Sequence, residues 1–156
     1  MRVHICAVGR LRGGPERALI DDYLARFDRA GRALGLTLGA EHEVEARRGG
    51  GPEAEAALLE KSLPRGAVVV ALDERGRTRS SPDFADALGA WRDGGRQDAA
   101  FLLGGADGLF PPLRQRADLL LSFGAMVWPH ALARVMLAEQ LYRAATILAG
   151  TPYHRA

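Results

Sequence analysis

Two glycine-opened loops are the stretches of this sequence best suited to holding a small ligand. The loop Gly104–Gly108 follows the apolar run Phe101–Leu103, and the loop Gly124–Pro129 follows the apolar run Leu119–Phe123. Glycines at the ends of buried strands let the backbone turn sharply and approach a ligand closely. In open α/β sheets the ligand crevice lies beyond the carboxyl ends of the strands. We therefore expect the two loops to close on one nucleotide-like molecule.

The spacing within these loops excludes two common phosphate-binding motifs. The first loop lacks the G-x-G-x-x-G spacing of a dinucleotide fingerprint, and no Gly-Lys-Ser/Thr follows it as in a P-loop. The second loop offers backbone groups beside the apolar Met126, Val127 and Trp128. Such a lining favours the flat ring and amide edge of adenine over a triphosphate, which requires clustered positive charge.

The end of the chain carries a second group of reactive side chains. Tyr153, His154 and Arg155 place a stacking ring, a titratable group and a phosphate-binding fork next to one another, and Arg143 precedes them on a predicted helix. This combination suits a grip on an RNA base and its backbone. A frayed terminus is the alternative interpretation.

The sequence predicts no metal site. Its four histidines, His4, His42, His130 and His154, lack the paired spacing of a zinc motif. No G-x-S-x-G nucleophile elbow is present either.

Composition predicts one soluble globular domain over residues 1–156. The chain is 47% hydrophobic and 26% charged with a net charge of +2, and it has no apolar run of membrane-spanning length and no signal-peptide core. The single cysteine, Cys6, fits a reducing cytoplasm. Lys61 is the only lysine beside many arginines, which reflects either the composition of the source genome or forked donors for phosphate.

The hydrophobic pattern predicts an α/β fold, with a parallel-rich sheet of about five strands and helices on both faces. Strands are expected at Arg2–Val8, Leu36–Val44 and Ala67–Leu72 and at the two apolar runs before the loops. Helices are expected from Pro15, from Pro52 to Leu63, from a Ser81 cap to Gly94, near Pro112–Asp118, and over His130–Ala149. The last helix is apolar over so wide an arc that a second subunit is the simplest cover for it.

The carboxyl-terminal half then resembles a known family. The matching residues are Leu103-Gly104-Gly105-x-x-Gly108, Pro129-His130-x-x-x-Arg134, Glu139-Gln140-x-Tyr142-Arg143 and Pro152-Tyr153-His154-Arg155. In combination they resemble the RlmH (ribosomal RNA large-subunit methyltransferase H) family of the SPOUT class. The Val-Gly after the first strand and Ala71-Leu72-Asp73 fit as well, so the resemblance covers essentially the whole chain.

This resemblance implies a SPOUT-type fold with a carboxyl-terminal trefoil knot, working as a cytoplasmic homodimer. Knots are otherwise essentially absent from proteins, and nothing in the hydrophobic pattern indicates one. The implied reaction transfers a methyl group from S-adenosylmethionine to N3 of a pseudouridine of 23S rRNA in assembled ribosomes.

The resemblance also assigns site residues. Cofactor contacts fall on Leu72, Gly105, Gly124, Ala125, Met126, Val127, Trp128 and Pro129. Val127 stands where relatives carry a hydroxyl and Trp128 where a smaller apolar residue is common, which a loop using backbone groups tolerates. We expect His154 to assist deprotonation of N3, Tyr153 and Arg155 to hold the nucleotide, and Arg143 to support them at the RNA.

Two other classes of function stay open at the level of the sequence. One is a non-catalytic RNA- or ribosome-binding module of the same fold, which S-adenosylmethionine does not stabilise. The other is an unrelated doubly wound enzyme, which NAD or ATP stabilises instead.

Overall fold

The computed structural model describes residues 1–155, in which strands alternate with helices. The five strands of these residues are β1 Arg2–Val8, β2 Thr37–Val44, β3 Val68–Thr78, β4 Asp98–Leu103 and β5 Leu119–Ser122. The helices are α1 Pro15–Gly31, α2 Gly51–Ser62, α3 Ser81–Asp93, α4 Pro111–Arg116 and α5 His130–Ala149, with a 3-10 turn at Arg32–Leu34. No helix in this part of the chain has the length and apolarity needed to cross a bilayer.

The strands form one sheet in the order β2-β1-β4-β3-β5, and every neighbouring pair is parallel. The predicted parallel-rich sheet is therefore confirmed, and β2 and β5 lie at its two edges. Because β4, β3 and β5 are neighbours, the loops that follow them meet at one end of the sheet. The trefoil knot stays a prediction.

Helices cover both faces of the sheet, as the alternation of buried side chains requires. In β1, Val3, Ile5 and Ala7 point to the core beneath α1, α3 and α5, whereas Cys6 and Val8 point to the core beneath α2 and α4. This alternation is the period of two that a strand buried on both faces must show.

β3 is longer than the sequence predicts. Leu72 and Arg77 both pair with Leu121 of β5, so residues 73–76 leave the ladder and form a bulge. The close approach of backbone at Gly76 fixes this bulge, since a β-carbon there would lie 2.6 Å from the Leu120 carbonyl. The expected end at Leu72 was wrong, because polar residues mark a change of environment here while the strand continues.

The start of α3 is also displaced by one residue from the prediction. Ser80, not Ser81, caps the helix, and its hydroxyl accepts a hydrogen bond from the Asp83 amide at 3.1 Å. Ser81 instead donates to Gln140 Oε1 of α5 at 2.7 Å. The prediction chose the wrong one of two adjacent serines, and the hydroxyl of the other ties α3 to α5.

Helix α5 has the predicted bounds but a different environment from the one expected. It packs against both α1 and α3, so its own chain covers much of the wide apolar arc. Leu132 stays 40% exposed and Val135 and Met136 stay half-buried. The apolar surface left for a second subunit is therefore narrower than the sequence suggests.

Candidate functional site

A cleft of about 380 Å³ opens where the loops after β3, β4 and β5 meet. Three stretches line it: residues 72–75 of β3 and its bulge, Leu103 to Gly108 without Gly105, and residues from Leu121 to Ala133. The cleft lies beyond the carboxyl ends of the strands, the usual ligand position in an open α/β sheet, and its volume is in the range of small-molecule sites.

Five of the predicted cofactor residues line this cleft: Leu72, Gly124, Met126, Val127 and Trp128. Met126 and Val127 are 74% and 80% exposed, so their apolar side chains are available to cover a ligand. Ala125 and Pro129 lie in the same exposed loop, but they are not among the residues that form the wall.

Gly105 faces away from the cleft. A β-carbon at this position would lie 3.0 Å from Val8 Cγ1 and 3.6 Å from the Glu55 carboxylate. Any contact between Gly105 and a ligand is therefore a backbone contact. Its neighbour Gly104, not Gly105, forms part of the cleft wall.

Ser122 holds the start of the second loop. Its hydroxyl accepts from the Gly124 amide at 3.0 Å and lies 3.0 Å from the Gly124 carbonyl and 3.2 Å from the Glu74 carbonyl. Gly124 itself has a φ of +116°, a conformation that strongly favours glycine. The loop is thus anchored to the bulge of β3 across the sheet. Sequence reasoning missed Ser122, whose only signal was a polar residue inside an apolar run.

Carboxylates dominate the charged part of the cleft. Asp73, Glu74 and Asp107 line it together with Arg75 and His130. The side chain of Asp73 is only 5% exposed, and it accepts from the Arg75 amide at 2.8 Å and from Arg114 at 3.3 Å. A lining with this charge suits a cationic ligand and disfavours a polyphosphate. The acidic wall was not predicted, although Asp73-Glu74 at a strand end was its signal.

The carboxyl-terminal tail is docked on α5 and not frayed. The Tyr153 hydroxyl donates to Glu139 at 2.9 Å, and Arg143 donates to the same carboxylate at 2.6 Å and approaches His154 Nδ1 at 3.2 Å. The Arg143 guanidinium also lies 4.8 Å from the centre of the Tyr153 ring. We call Glu139, Arg143, Tyr153 and His154 the tail cluster; Arg155 beside it is exposed.

Glu139 raises the pKa values of two of its neighbours in the tail cluster, Tyr153 and Arg143. Burial and the hydrogen bond to Glu139 raise the pKa of Tyr153 to about 12, so its hydroxyl stays protonated and donates. The same carboxylate raises the pKa of Arg143. Because arginine only donates, Nδ1 of His154 must accept, and the neutral imidazole then carries its proton on Nε2.

The tail cluster and the cleft do not meet within one chain. His130 lines the cleft at the start of α5, and Arg143 lies about 20 Å further along the same helix at 1.5 Å per residue. The structure therefore brings together the predicted cofactor residues and, separately, the predicted RNA residues.

A second cleft of about 470 Å³ lies between these two groups. It shares Leu121, Phe123 and Gly124 with the first cleft and shares Glu139 with the tail cluster. Most of its wall is apolar and comes from α1, α3 and α5.

A parallel sheet with a cleft of this position, size and charge is typical of α/β enzymes that bind a nucleoside-like cofactor. Comparison with known proteins narrows this class. A family model described as "Predicted SPOUT methyltransferase" matches residues 1–154. The chain belongs to the SPOUT methyltransferase family, and its cofactor is S-adenosylmethionine.

Relatives and solved structures agree with this family. Proteins of Dinoroseobacter shibae and Ruegeria pomeroyi named "Ribosomal RNA large subunit methyltransferase H" are 70% and 68% identical over 155 residues, which is 99% of each chain. A probable methylase family protein of Haemophilus influenzae has a TM-score of 0.50 at 14% identity, covering 99% of this chain and 70% of the other. A protein from work on 2-OH methylation of C/U34 on tRNA has a TM-score of 0.50 at 21% identity, covering 93% and 91%. The two structural likenesses show the fold alone.

The cleft fits the cofactor of this family. Leu72, Leu103 and the side chains of residues 126–128 provide apolar walls for an adenine ring, and the carboxylates complement a sulfonium and an ammonium group. The prediction of an adenine site without a triphosphate agrees with this lining. Among residues 1–155, no three histidine, cysteine or acidic side chains are arranged to hold a metal ion.

Proposed function

We propose that this chain methylates N3 of a pseudouridine in 23S rRNA, acting on assembled ribosomes in the cytoplasm. The observation that carries the proposal is the identity of 70% over 99% of both chains with a relative named for methylation of large-subunit ribosomal RNA. The cleft, built from the predicted loops, and the docked tail support it.

We propose that the cofactor is held by the predicted loop residues. Leu72, Met126, Val127 and Trp128 of the cleft wall would enclose the adenine ring, and the carboxylates of the wall would complement the positive charge of the cofactor. Backbone groups of Gly105, Gly124, Ala125 and Pro129 in the two loops would orient it. The bound sulfonium supplies a methyl group that is already activated. Catalysis by the protein is therefore mainly the in-line positioning of N3 and the methyl group.

The tail cluster assists the loss of the N3 proton by stabilising the anion that remains. With Nδ1 accepting from Arg143, His154 offers an N–H at Nε2, and Tyr153 remains protonated up to about pH 12. His154 donates through Nε2 to a carbonyl oxygen on which the negative charge develops, and the proton passes to solvent. The Tyr153 ring holds the nucleotide, while its hydroxyl stays bonded to Glu139. Arg143 and Arg155 hold the RNA backbone.

The active unit is a homodimer in which the cleft of one subunit faces the tail cluster of the other. The separation of about 20 Å along α5 within one chain favours this arrangement. The apolar second cleft and the exposed Leu132 provide the surface that a second copy covers.

Methylation of ribosomes from a strain lacking this activity tests the proposed reaction. The modified nucleotide is located by mass spectrometry of 23S rRNA after incubation with the protein and labelled S-adenosylmethionine. We expect one methyl group per large subunit, on a pseudouridine. Label in any other nucleotide, or none in the presence of cofactor, contradicts the proposal.

Mixing two inactive variants tests the homodimer. Gly124→Val disables the cleft, because the φ of +116° disfavours a side chain, and Arg143→Ala disables the tail cluster. We expect either variant alone to be inactive and the mixture to regain activity, because one site of each mixed dimer is intact. A mixture as inactive as its parts, or a monomer in gel filtration at micromolar concentration, rules the arrangement out.

A further inference from the structure

The most buried charged side chain on α5 lies outside the proposed catalytic groups. Arg134 is 1% exposed and is among the largest fully buried side chains of the described residues. It belongs to a four-charge network of two arginines and two glutamates that joins α1, β2 and α5: Arg17, Glu41, Glu43 and Arg134. We call this set the buried network.

We propose that Arg134 is a positioning residue that holds the β1–α1 junction against the first turn of α5 in the geometry that the cofactor cleft requires. The inference rests on the proposed function and adds a residue that acts through the backbone, without touching cofactor or RNA.

The two sides of the Arg134 guanidinium have different partners. Nη1 donates to Glu43 at 2.6 Å and to Glu41 at 3.1 Å. Nη2 donates to the carbonyls of Gly9 at 2.9 Å and of Val8 at 3.4 Å. The carboxylates fix the fork in place, and the fork in turn fixes two consecutive peptide groups at the end of β1.

The residues of these two peptide groups, Val8 and Gly9, lie next to Gly105 and His130, which border the cofactor cleft. A β-carbon on Gly9 would lie 3.7 Å from Nε2 of His130, and Val8 Cγ1 lies 3.0 Å from the position of a β-carbon on Gly105. His130 lines the cleft one helical turn before Arg134, and Gly104, which precedes Gly105 in the chain, forms part of the cleft wall. Movement of the Val8-Gly9 backbone therefore moves both sides of the cleft.

Arg17 provides a control within the same network. It donates to Glu41 at 2.6 Å and 2.8 Å and to Glu43 at 3.2 Å, so it shares the carboxylates of Arg134. Its contact with the main chain is the Leu11 carbonyl at 2.7 Å, and it does not bond Val8 or Gly9. A lysine at either position keeps the charge but loses the planar fork that reaches two groups at once.

The test compares Arg134→Lys with Arg17→Lys by calorimetric binding of S-adenosylhomocysteine, which requires no turnover. We expect Arg134→Lys to weaken binding at least tenfold and to raise KM for S-adenosylmethionine more than it lowers kcat. Arg17→Lys should stay within twofold in affinity while losing similar thermal stability. Equal affinities for the two variants, or an Arg134→Lys protein that binds like the unaltered chain, overturn the proposal.

A second pair decides the question if Arg134→Lys does not fold. Glu43 holds Arg134 and also accepts from the Leu11 amide at 2.8 Å, whereas Glu45, just after the end of β2, pairs with Arg10 at the surface. Glu43→Gln should weaken binding of S-adenosylhomocysteine severalfold and Glu45→Gln should not; no difference between them refutes the inference. Failure of the unaltered protein to methylate ribosomes, with its binding of S-adenosylhomocysteine intact, contradicts the proposed function alone.

Discussion

Helix α5 carries two arginine–glutamate arrangements that differ chiefly in their burial. In the buried network, Arg134 is 1% exposed and bonds carboxylates from another element of the fold. In the tail cluster, the side chain of Arg143 is 26% exposed and bonds Glu139 of its own helix. Burial separates the two arginines: the bonds of Arg134 all go to groups inside the protein, whereas Arg143 keeps the exposed surface that the proposed RNA contact requires.

Removal of each arginine should lower stability by a different amount. Arg134→Ala leaves Glu41 and Glu43 short of a buried partner, and we expect it to lower the free energy of unfolding by about 3 kcal/mol. Arg143→Ala should cost no more than about 1 kcal/mol. Urea denaturation of both variants measures the difference, and equal losses would remove the distinction between the two regions.

Deletion of residues 153–156 should abolish function without loosening the fold. Methyl transfer to ribosomes is expected to fall about 100-fold or more, since the groups that stabilise the N3 anion and position the nucleotide are lost. The midpoint of thermal unfolding should change little, because the tail packs on the surface of α5. Arg29→Ala, an exposed position on α1, is the control. Undiminished turnover of the deletion variant would show that the tail has no role in catalysis.

Acid should weaken the buried network through Glu43. Burial raises the pKa of this carboxyl, but the Leu11 amide and Arg134 outweigh burial and hold the pKa below the ordinary value of 4.5. The unfolded chain therefore takes up the proton first as pH falls, so the stabilisation is complete above about pH 4.5 and is lost as pH falls through the lower folded pKa. Glu43→Gln should flatten the dependence of unfolding free energy on pH in this acidic range, and the exposed Glu45→Gln should leave it unchanged.

The smallest expected effect concerns the Tyr153 hydroxyl. Its pKa of about 12 lies above the ordinary value of 10.0, so the stabilisation it provides is complete below pH 10 and is lost as pH rises through about 12. Spectrophotometric titration, with Tyr153→Phe subtracted to remove the other tyrosines, measures this pKa. Glu139→Gln should lower it without restoring 10.0, because burial remains. A pKa unaffected by Glu139→Gln would separate Tyr153 from the tail cluster.

The features that could be predicted were those encoded in local sequence patterns. The period of two in Arg2–Val8 and the helical period in His130–Ala149 predicted the observed bounds of those elements, and glycines at strand ends marked the loops that form the first cleft. Partners far apart in sequence were not predictable. Arg134 meets Glu41 and Glu43 only once the fold brings α5 and β2 together, and nothing near any of the three residues distinguishes them from surface charges.

Side-chain chemistry could be recognised where exact local geometry could not. Tyr153, His154 and Arg155 were identified from their side-chain chemistry. At the start of α3, however, Ser80 and Ser81 both fit a helix cap equally well, and the prediction chose the wrong one. Sequence also could not show that the tail and the cleft lie far apart in one chain. That separation is a property of the length and direction of α5.

The bulge of β3 makes this cleft a natural place for redesign. Residues 73–75 pair with nothing in β5 and form one wall of the cleft. Glu74 and Arg75 are exposed, so their side chains can be exchanged without breaking the ladder, whereas Asp73 is bonded to Arg114. Gly76, whose β-carbon would strike Leu120, must stay. An engineer seeking an enzyme for a bulkier sulfonium donor therefore has two adjacent positions to randomise, Glu74 and Arg75, and should keep Asp73 and Gly76.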